Sequence, residues 1–260
     1  MNRGVDIIIM AGGEGKRMQS DLPKVLVKLE EYPMIIHILK QLSILSNSIN
    51  ILNVYIVVGK HKEIITKTID SYFGLLSIFA WKIRYINQDE PKGTGHAIKC
   101  CKNQLANFPY HYSIILSGDV PLISYNTLLK YYRFCINKNS NASLISTNVE
   151  EPKGYGRIVE CDNRFIKIVE EKDCDISEKY INKINTGLYC IRNNIIINYI
   201  DKIDCNNSQN EYYLTDVFGL LIKDRIEVDV YNLEPKYIDE VTGVNTIEQL
   251  NELERKIKLR

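Results

Sequence analysis

The stretch Gly12-Gly13-Glu14-Gly15-Lys16-Arg17-Met18, followed by Asp21-Leu22-Pro23-Lys24, carries residue types that handle phosphate. Glycines let the main chain approach an anion and turn unpaired N–H groups toward it. Arg17 and Lys24 add two cationic donors to the same loop. The pattern is not a dinucleotide fingerprint, since no G-x-G-x-x-G opens a helix. It is not a P-loop either, since no Gly-Lys-Ser/Thr follows at the required spacing. A tight glycine turn would explain the glycines alone; the two cations shift the reading to a nucleotide ligand. Asp119 follows Gly118 at the end of an apolar run. A carboxylate there serves as a metal ligand or a cap, and the reading favours the metal ligand. Taken alone, Asn245 reads as the N-cap of a last helix, Glu170-Glu171-Lys172-Asp173 as a charged turn, and His96 as a structural hydrogen-bonding group.

These residues need elements that bring them together. Ile7 to Met10, Val54 to Val58, Ile83 to Ile86 and Ser113 to Leu116 read as buried strands. Met34 to Leu45, Ile64 to Phe73 and Gly95 to Leu105 have helical spacing. This alternation predicts an α/β, Rossmann-like fold: a mostly parallel mixed sheet flanked by helices. Ligands in such sheets sit at the carboxyl ends of strands, where Gly12-Gly13 and Gly118-Asp119 both fall. The second half has short strands at Ala142 to Thr147, Gly156 to Glu160, Phe165 to Val169, Leu188 to Ile191 and Ile226 to Tyr231. Helices are expected at Asn193 to Ile200 and Tyr213 to Ile222. Ile247, Leu250, Leu253 and Ile257 share one face of a C-terminal helix, for packing or self-association.

The chain has 260 residues and a formal net charge of +1, which argues against a nucleic-acid binder. Its seven cysteines include no C-x-x-C pair, so free thiols in a reducing compartment are expected. No signal peptide or membrane-length apolar run is visible. The expectation is a cytoplasmic protein with no membrane partner and no linker between domains.

Together these motifs resemble the signature loops of the sugar-phosphate nucleotidyltransferases, most closely the uridylyltransferase half of the bifunctional N-acetylglucosamine-1-phosphate uridylyltransferases. The likeness extends in order through Gln88, Gly93-Thr94-Gly95-His96-Ala97, Ser117-Gly118-Asp119-Val120-Pro121-Leu122 and Gly154-Tyr155-Gly156-Arg157. It continues through Val169-Glu170-Glu171-Lys172-Asp173, Asn185-Thr186-Gly187, Glu211-Tyr212-Tyr213-Leu214-Thr215-Asp216 and Gly243-Val244-Asn245. The resemblance implies transfer of UMP from UTP to N-acetylglucosamine-1-phosphate, with Mg²⁺ as cofactor. Arg17, Lys24 and Asp119 would be catalytic, and Asp119 and Asn245 would hold the metal. Met10, Ala11, Gly12, Gly13, Gln88, Gly93, Thr94, Ser117 and Gly118 would bind the nucleotide; Gly156, Glu170 and Asn185 would bind the sugar. The implied layout is one domain, with residues 1–140 mainly a nucleotide lobe, 141–245 mainly a smaller sugar lobe, and 246–260 a C-terminal helix.

Several positions depart from that pattern. Gly12 stands where the bifunctional proteins usually have alanine, and the double glycine is usual in glucose-1-phosphate nucleotidyltransferases. Lys16 replaces a common threonine, Glu31-Tyr32 a Gly-Lys turn, and Asn210 a glycine. No hexapeptide-repeat β-helix is seen, so neither acetyltransferase activity nor trimerisation through such a domain is expected, though a homo-oligomer of another kind is possible. Alternative readings are a UDP- or dTDP-glucose type of nucleotidyltransferase, or a catalytically silent nucleotide-sugar-binding protein. Retention of Arg17, Lys24, Asp119 and Asn245 together argues against silence.

Overall fold

A computed structural model describes residues 4–13, 15–18, 20–73 and 81–259; Glu14 of the first loop and the side chain of Lys16 lie outside the described residues. Strand β1 (Val5–Met10) is apolar except at Asp6 and buried along nearly its whole length. Such a run belongs in the middle of a sheet covered on both faces. Strands β4 (Ile51–Val58) and β6 (Tyr112–Ser117) flank it, both parallel, and β5 (Lys82–Asn87) extends the β4 side. Successive side chains point to opposite faces of a strand. Ile7 and Ile9 therefore join a core with helices α1 (Met34–Leu45), α2 (Lys62–Phe73) and α5 (Tyr125–Lys138), while Ile8 joins the opposite core. That second core takes in α3 (Thr94–Cys100), α4 (Lys102–Leu105), α6 (Asn193–Tyr199) and α7 (Asp216–Lys223).

The other half of the sheet is mixed. Strand β10 (Lys183–Arg192) lies antiparallel between β6 and β7 (Ala142–Asn148), and β11 (Val228–Asn232) pairs parallel with β7. The order is β11-β7-β10-β6-β1-β4-β5. An antiparallel hairpin, β8 (Gly156–Cys161) and β9 (Arg164–Val169), hangs from the far end of β10. The expected mostly parallel mixed sheet with helices on both faces is present.

Some boundaries differ from expectation. The expected helix Gly95 to Leu105 is two helices that meet at Cys101, and the helix expected from Tyr213 starts at Asp216. Helix α5 has no counterpart among the expected elements, although Leu128, Tyr131, Tyr132 and Cys135 recur at helical spacing. Its cap is Ser124, whose Oγ accepts from Thr127 N–H at 3.2 Å. Glu30 and Glu31 close a small hairpin, β2 (Lys28–Leu29) with β3 (Tyr32–Pro33), so the Glu31-Tyr32 departure spans the turn and the start of β3; Glu30 takes the left-handed conformation at φ 53°.

Helix α8 (Ile247–Lys258) packs rather than standing free. Leu250 and Leu253 are buried with Met18, Leu29, Met34 and Val244, and Ile257 packs beside them. Burying three or four such side chains contributes about 1.5–3 kcal/mol each. The contact carries the end of the chain back against the first loop, which determines where Asn245 lies.

Candidate active site

The carboxyl ends of the parallel strands supply one wall. Met10 and Ser117 are register partners, and the Gly118 N–H donates to the Met10 carbonyl at 2.9 Å. A Cβ on Gly118 would come within 2.9 Å of that carbonyl and 2.8 Å of Val25, so only glycine allows the two loops to close together. Ala11 N–H is occupied by Val57 O at 2.8 Å. Gly13 faces open space, with nothing within 4 Å of an added Cβ, and leaves its main chain accessible to a ligand.

Lys24 reaches into this wall through a gap that Gly15 creates. Gly15 has φ 64°, and a Cβ there would lie 2.6 Å from the Lys24 Cβ. The Lys24 ammonium ion-pairs with Asp119 Oδ2 and donates to Asn245 Oδ1 at 2.8 Å. Arg17 Nη2 donates to the same Asn245 oxygen at 3.2 Å. Asp119 is held from two further directions: Ser117 Oγ donates to its Oδ1 at 2.6 Å, and Val244 N–H to its backbone carbonyl at 2.9 Å. Arg17, Lys24, Asp119, Ser117 and Asn245 thus converge from the two ends and the middle of the chain.

Asn245 is not the cap of α8. Thr246 is, in a reciprocal capping box with Gln249, whose Oε1 also accepts from Asn245 N–H at 2.7 Å. The Asn245 side chain is thereby left to the site. Its amide oxygen and the Asp119 carboxylate already share one positive charge, that of Lys24. They are hard oxygen donors, and among the described residues no group of three or more His, Cys, Asp or Glu could hold a metal. Two protein oxygens completed by waters and phosphates suit Mg²⁺.

Gln88 directly follows β5, two strands along from β1. Its Nε2 donates to Gly93 O at 3.0 Å and lies 3.2 Å from His96 Nδ1. A hydrogen bond there makes Nδ1 the acceptor, so His96 has a structural partner. The Gln88 Oε1 sits 2.9 Å from where a Gly12 Cβ would be. Gly12 therefore admits the Gln88 amide in its present position, which an alanine would displace. Gly93, with φ 101°, starts α3, and Thr94 Oγ1 accepts from Leu214 N–H at 3.0 Å.

Gly156, Glu170 and Asn185 form a second group on the hairpin and β10. Gly156 pairs with Asn185 in register, and a Cβ on Gly156 would lie 3.4 Å from Glu170 Oε2. Asn185 Nδ2 donates to the Tyr189 hydroxyl at 2.8 Å, and its Oδ1 accepts from Gly187 N–H at 3.3 Å. Burial pushes the Glu170 carboxyl above its ordinary value, and Thr215 Oγ1, donating to Oε1 at 2.9 Å, opposes that shift. Sequence reasoning missed Thr215, although it lies inside a motif already picked out. It also missed Arg157. This guanidinium is 2% exposed, ion-paired to Glu171 at 2.7 Å and donating to Tyr155 O beside Gly156.

Asp216, next to Thr215, is pushed up to about 6 by burial and by repulsion from Asp204 and Asp173, with Lys223 acting in the other direction. The folded protein holds this proton more tightly than the unfolded chain, whose value is near 3.8. Stability from this group is therefore present at low pH and lost as pH rises through about 6. Asp216→Asn is expected to melt roughly 2–4 °C above the parent at pH 7. The difference should close on acidification toward the ordinary carboxyl range; melting curves showing an equal gain at both pH values would contradict this.

A cavity of about 770 Å³ between β9 and β11, lined in part by Phe134, Phe165 and Ile226, contains none of these candidate residues. The candidate residues gather at the strand ends instead.

Comparison with known proteins agrees with this architecture. A family model described as nucleotidyl transferase matches residues 6–239. The probable UDP-N-acetylglucosamine pyrophosphorylase of Acanthamoeba polyphaga mimivirus is 37% identical over 261 residues, covering 95% of this chain and 94% of that protein. The bifunctional protein GlmU of Clostridium beijerinckii is 35% identical over 254 residues, covering 97% of this chain. The chain spans about half the length of the bifunctional relatives, 52% in that case. Among solved structures, a putative glucose-1-phosphate thymidylyltransferase from Bacillus anthracis superposes with TM-score 0.75 at 20% identity, covering 97% of this chain and 94% of that one. A UDP-glucose pyrophosphorylase bound to UDP-glucose superposes with TM-score 0.77 at 18% identity, covering 98% and 99%. With this sheet, this cluster at its strand ends and a family match across most of its length, the chain belongs to the nucleotidyl transferase family.

Proposed function

We propose that the protein transfers UMP from UTP to N-acetylglucosamine-1-phosphate, yielding UDP-N-acetylglucosamine and pyrophosphate. An oxygen of the sugar phosphate attacks the α-phosphorus of UTP, and the bond from that phosphorus to the oxygen bridging to the β-phosphate breaks. The sugar phosphate is already ionised at neutral pH, so no protein base is needed. Catalysis is then positioning and charge stabilisation. The observation that carries this reading is the convergence of Arg17 and Lys24 with Asp119 and Asn245.

In this reading the main chain of Met10 to Gly13 and of Ser117-Gly118 lines the nucleotide, and Gln88 with Gly93-Thr94 reads the uracil edge. Arg17 and Lys24 turn from Asn245 and Asp119 to the triphosphate. Asp119 and Asn245 hold Mg²⁺, which when bound supplies charge neutralisation to the phosphate oxygens. Gly156 gives close approach to the sugar, while Glu170 accepts from its hydroxyls and Asn185 donates or accepts. Residues 1–140 act mainly on the nucleotide, 141–245 mainly on the sugar, with 246–260 as a bracing helix. No helix among the described residues is long and apolar enough to cross a membrane, and a cytoplasmic reaction fits that. The match to the mimivirus protein over 94% of its length supports the choice of sugar. The Gly12-Gly13 pair favours a second reading, a glucose-1-phosphate substrate in the same site. Incubation with UTP, Mg²⁺ and a panel of sugar-1-phosphates, followed through pyrophosphate release, tests both. Release with glucose-1-phosphate but none with N-acetylglucosamine-1-phosphate would overturn the first.

A further inference from the structure

The segment 212–215 touches both halves of the site. Tyr212 N–H donates to Lys92 O at 2.9 Å, and Gly95 N–H donates back to Tyr212 O at 2.7 Å. Leu214 N–H donates to Thr94 Oγ1 at 3.0 Å. At its other end Thr215 Oγ1 donates to Glu170 Oε1 at 2.9 Å. The strap lies close against Gly93, where an added Cβ would sit 2.5 Å from the Tyr212 carbonyl; one on Gly95 would meet that carbonyl at 3.0 Å and Ile203 at 2.3 Å. Tyr213, Leu214 and Thr215 are all buried. One buried segment therefore joins the turn at Gly93-Thr94 to the hydroxyl that holds Glu170.

We propose that this strap couples nucleotide and sugar-phosphate binding, with Thr215 as the positioning residue that passes the coupling to Glu170. The proposal rests on the functional reading above. A nucleotide seated on Gln88 and the Gly93-Thr94 turn stills that turn, the strap and the Thr215 hydroxyl together. The sugar phosphate then meets a Glu170 already fixed. Ordering made by the first ligand need not be made again by the second, so binding is cooperative. By linkage the effect is reciprocal.

The test uses the whole chain with Mg²⁺, the α,β-imido analogue of UTP, and N-acetylglucosamine-1-phosphate. In the parent protein the saturating analogue should tighten the sugar phosphate by about fivefold or more, within the usual range of such couplings. The analogue alone should slow hydrogen exchange at the Tyr212 and Leu214 amides. In Thr215→Val the analogue should bind as in the parent while the coupling factor falls toward one. Thr215→Ser, which keeps the hydroxyl, should restore it. Independent binding in the parent, unchanged exchange at both amides, or equal coupling in the Val and Ser variants would each overturn the strap. If the panel shows turnover of a different sugar phosphate, the substrate assignment fails; the same titration with that sugar decides the strap. Turnover of N-acetylglucosamine-1-phosphate with independent binding would sink the strap alone.

Discussion

Asp119→Ala is expected to lower pyrophosphate release by at least about 10³-fold. Loss of one group that stabilises transition-state charge costs about 10²–10³ in rate, and of the two proposed metal ligands, Asp119 and Asn245, this carboxylate is the charged one. The substitution should leave the fold intact. The backbone brace from Val244 N–H to Asp119 O does not involve the side chain, and the Gly118–Met10 contact also remains. Ser117 and Lys24 lose a partner but both can turn to water. Melting curves beside a Mg²⁺ titration of activity separate the two effects. Activity within tenfold of the parent at saturating Mg²⁺ would refute the metal role. Asp119→Asn should be nearly as inactive, because it keeps the shape and removes the charge.

The second large effect is expected at Lys24. Its ammonium lies between the two oxygens assigned to the metal, so it occupies their charge until ligands arrive. Lys24→Ala should lower kcat by about 10²–10³, the usual loss for one donor to a developing charge. It should not weaken Mn²⁺ or Mg²⁺ binding, since it removes a competing cation from Asp119 and Asn245. Metal titration followed by Mn²⁺ electron paramagnetic resonance, set beside steady-state kinetics, checks the pair of outcomes. A variant that loses metal affinity along with turnover would make Lys24 a structural clamp on the carboxylate. Full activity would remove it from the site altogether.

Much of the candidate site was legible because it is built from strand ends. A buried parallel strand announces itself as an apolar run, as at Ile7 to Met10, and the loop at its carboxyl end must face the ligand crevice. The same logic located Gly118-Asp119. Asn245 was harder. Read alone it suggests the cap of the last helix, whereas its neighbour Thr246, with Gln249 three residues on, has the capping-box spacing and is the cap. Only the packing of Leu250 and Leu253 against Met18 and Leu29 shows why residue 245 lies beside Arg17.

Other features were out of reach for physical reasons. Helix α5 does carry a helical period, at Leu128, Tyr131, Tyr132 and Cys135, but tyrosines and a cysteine make that buried face only weakly apolar. The break at Cys101 depends on local geometry between two short helices. The contact of Thr215 with Glu170 was invisible because the two lie 45 positions apart. Arg157 entered the sequence reading only as part of a motif, and nothing local marks it as buried and ion-paired to Glu171. Long-range contacts of this kind have no local signal. The Gly12-Gly13 pair shows the reverse case, a strong local signal whose meaning changed. The structure ties Gly12 to the position of the Gln88 amide, next to the Gly93-Thr94 turn.

The most direct measurement of the central claim is the ratio of kcat/KM for N-acetylglucosamine-1-phosphate to that for glucose-1-phosphate, with UTP and Mg²⁺ saturating. The account predicts a ratio well above one, with UDP-N-acetylglucosamine and pyrophosphate formed in equal amounts. A ratio below one would contradict it.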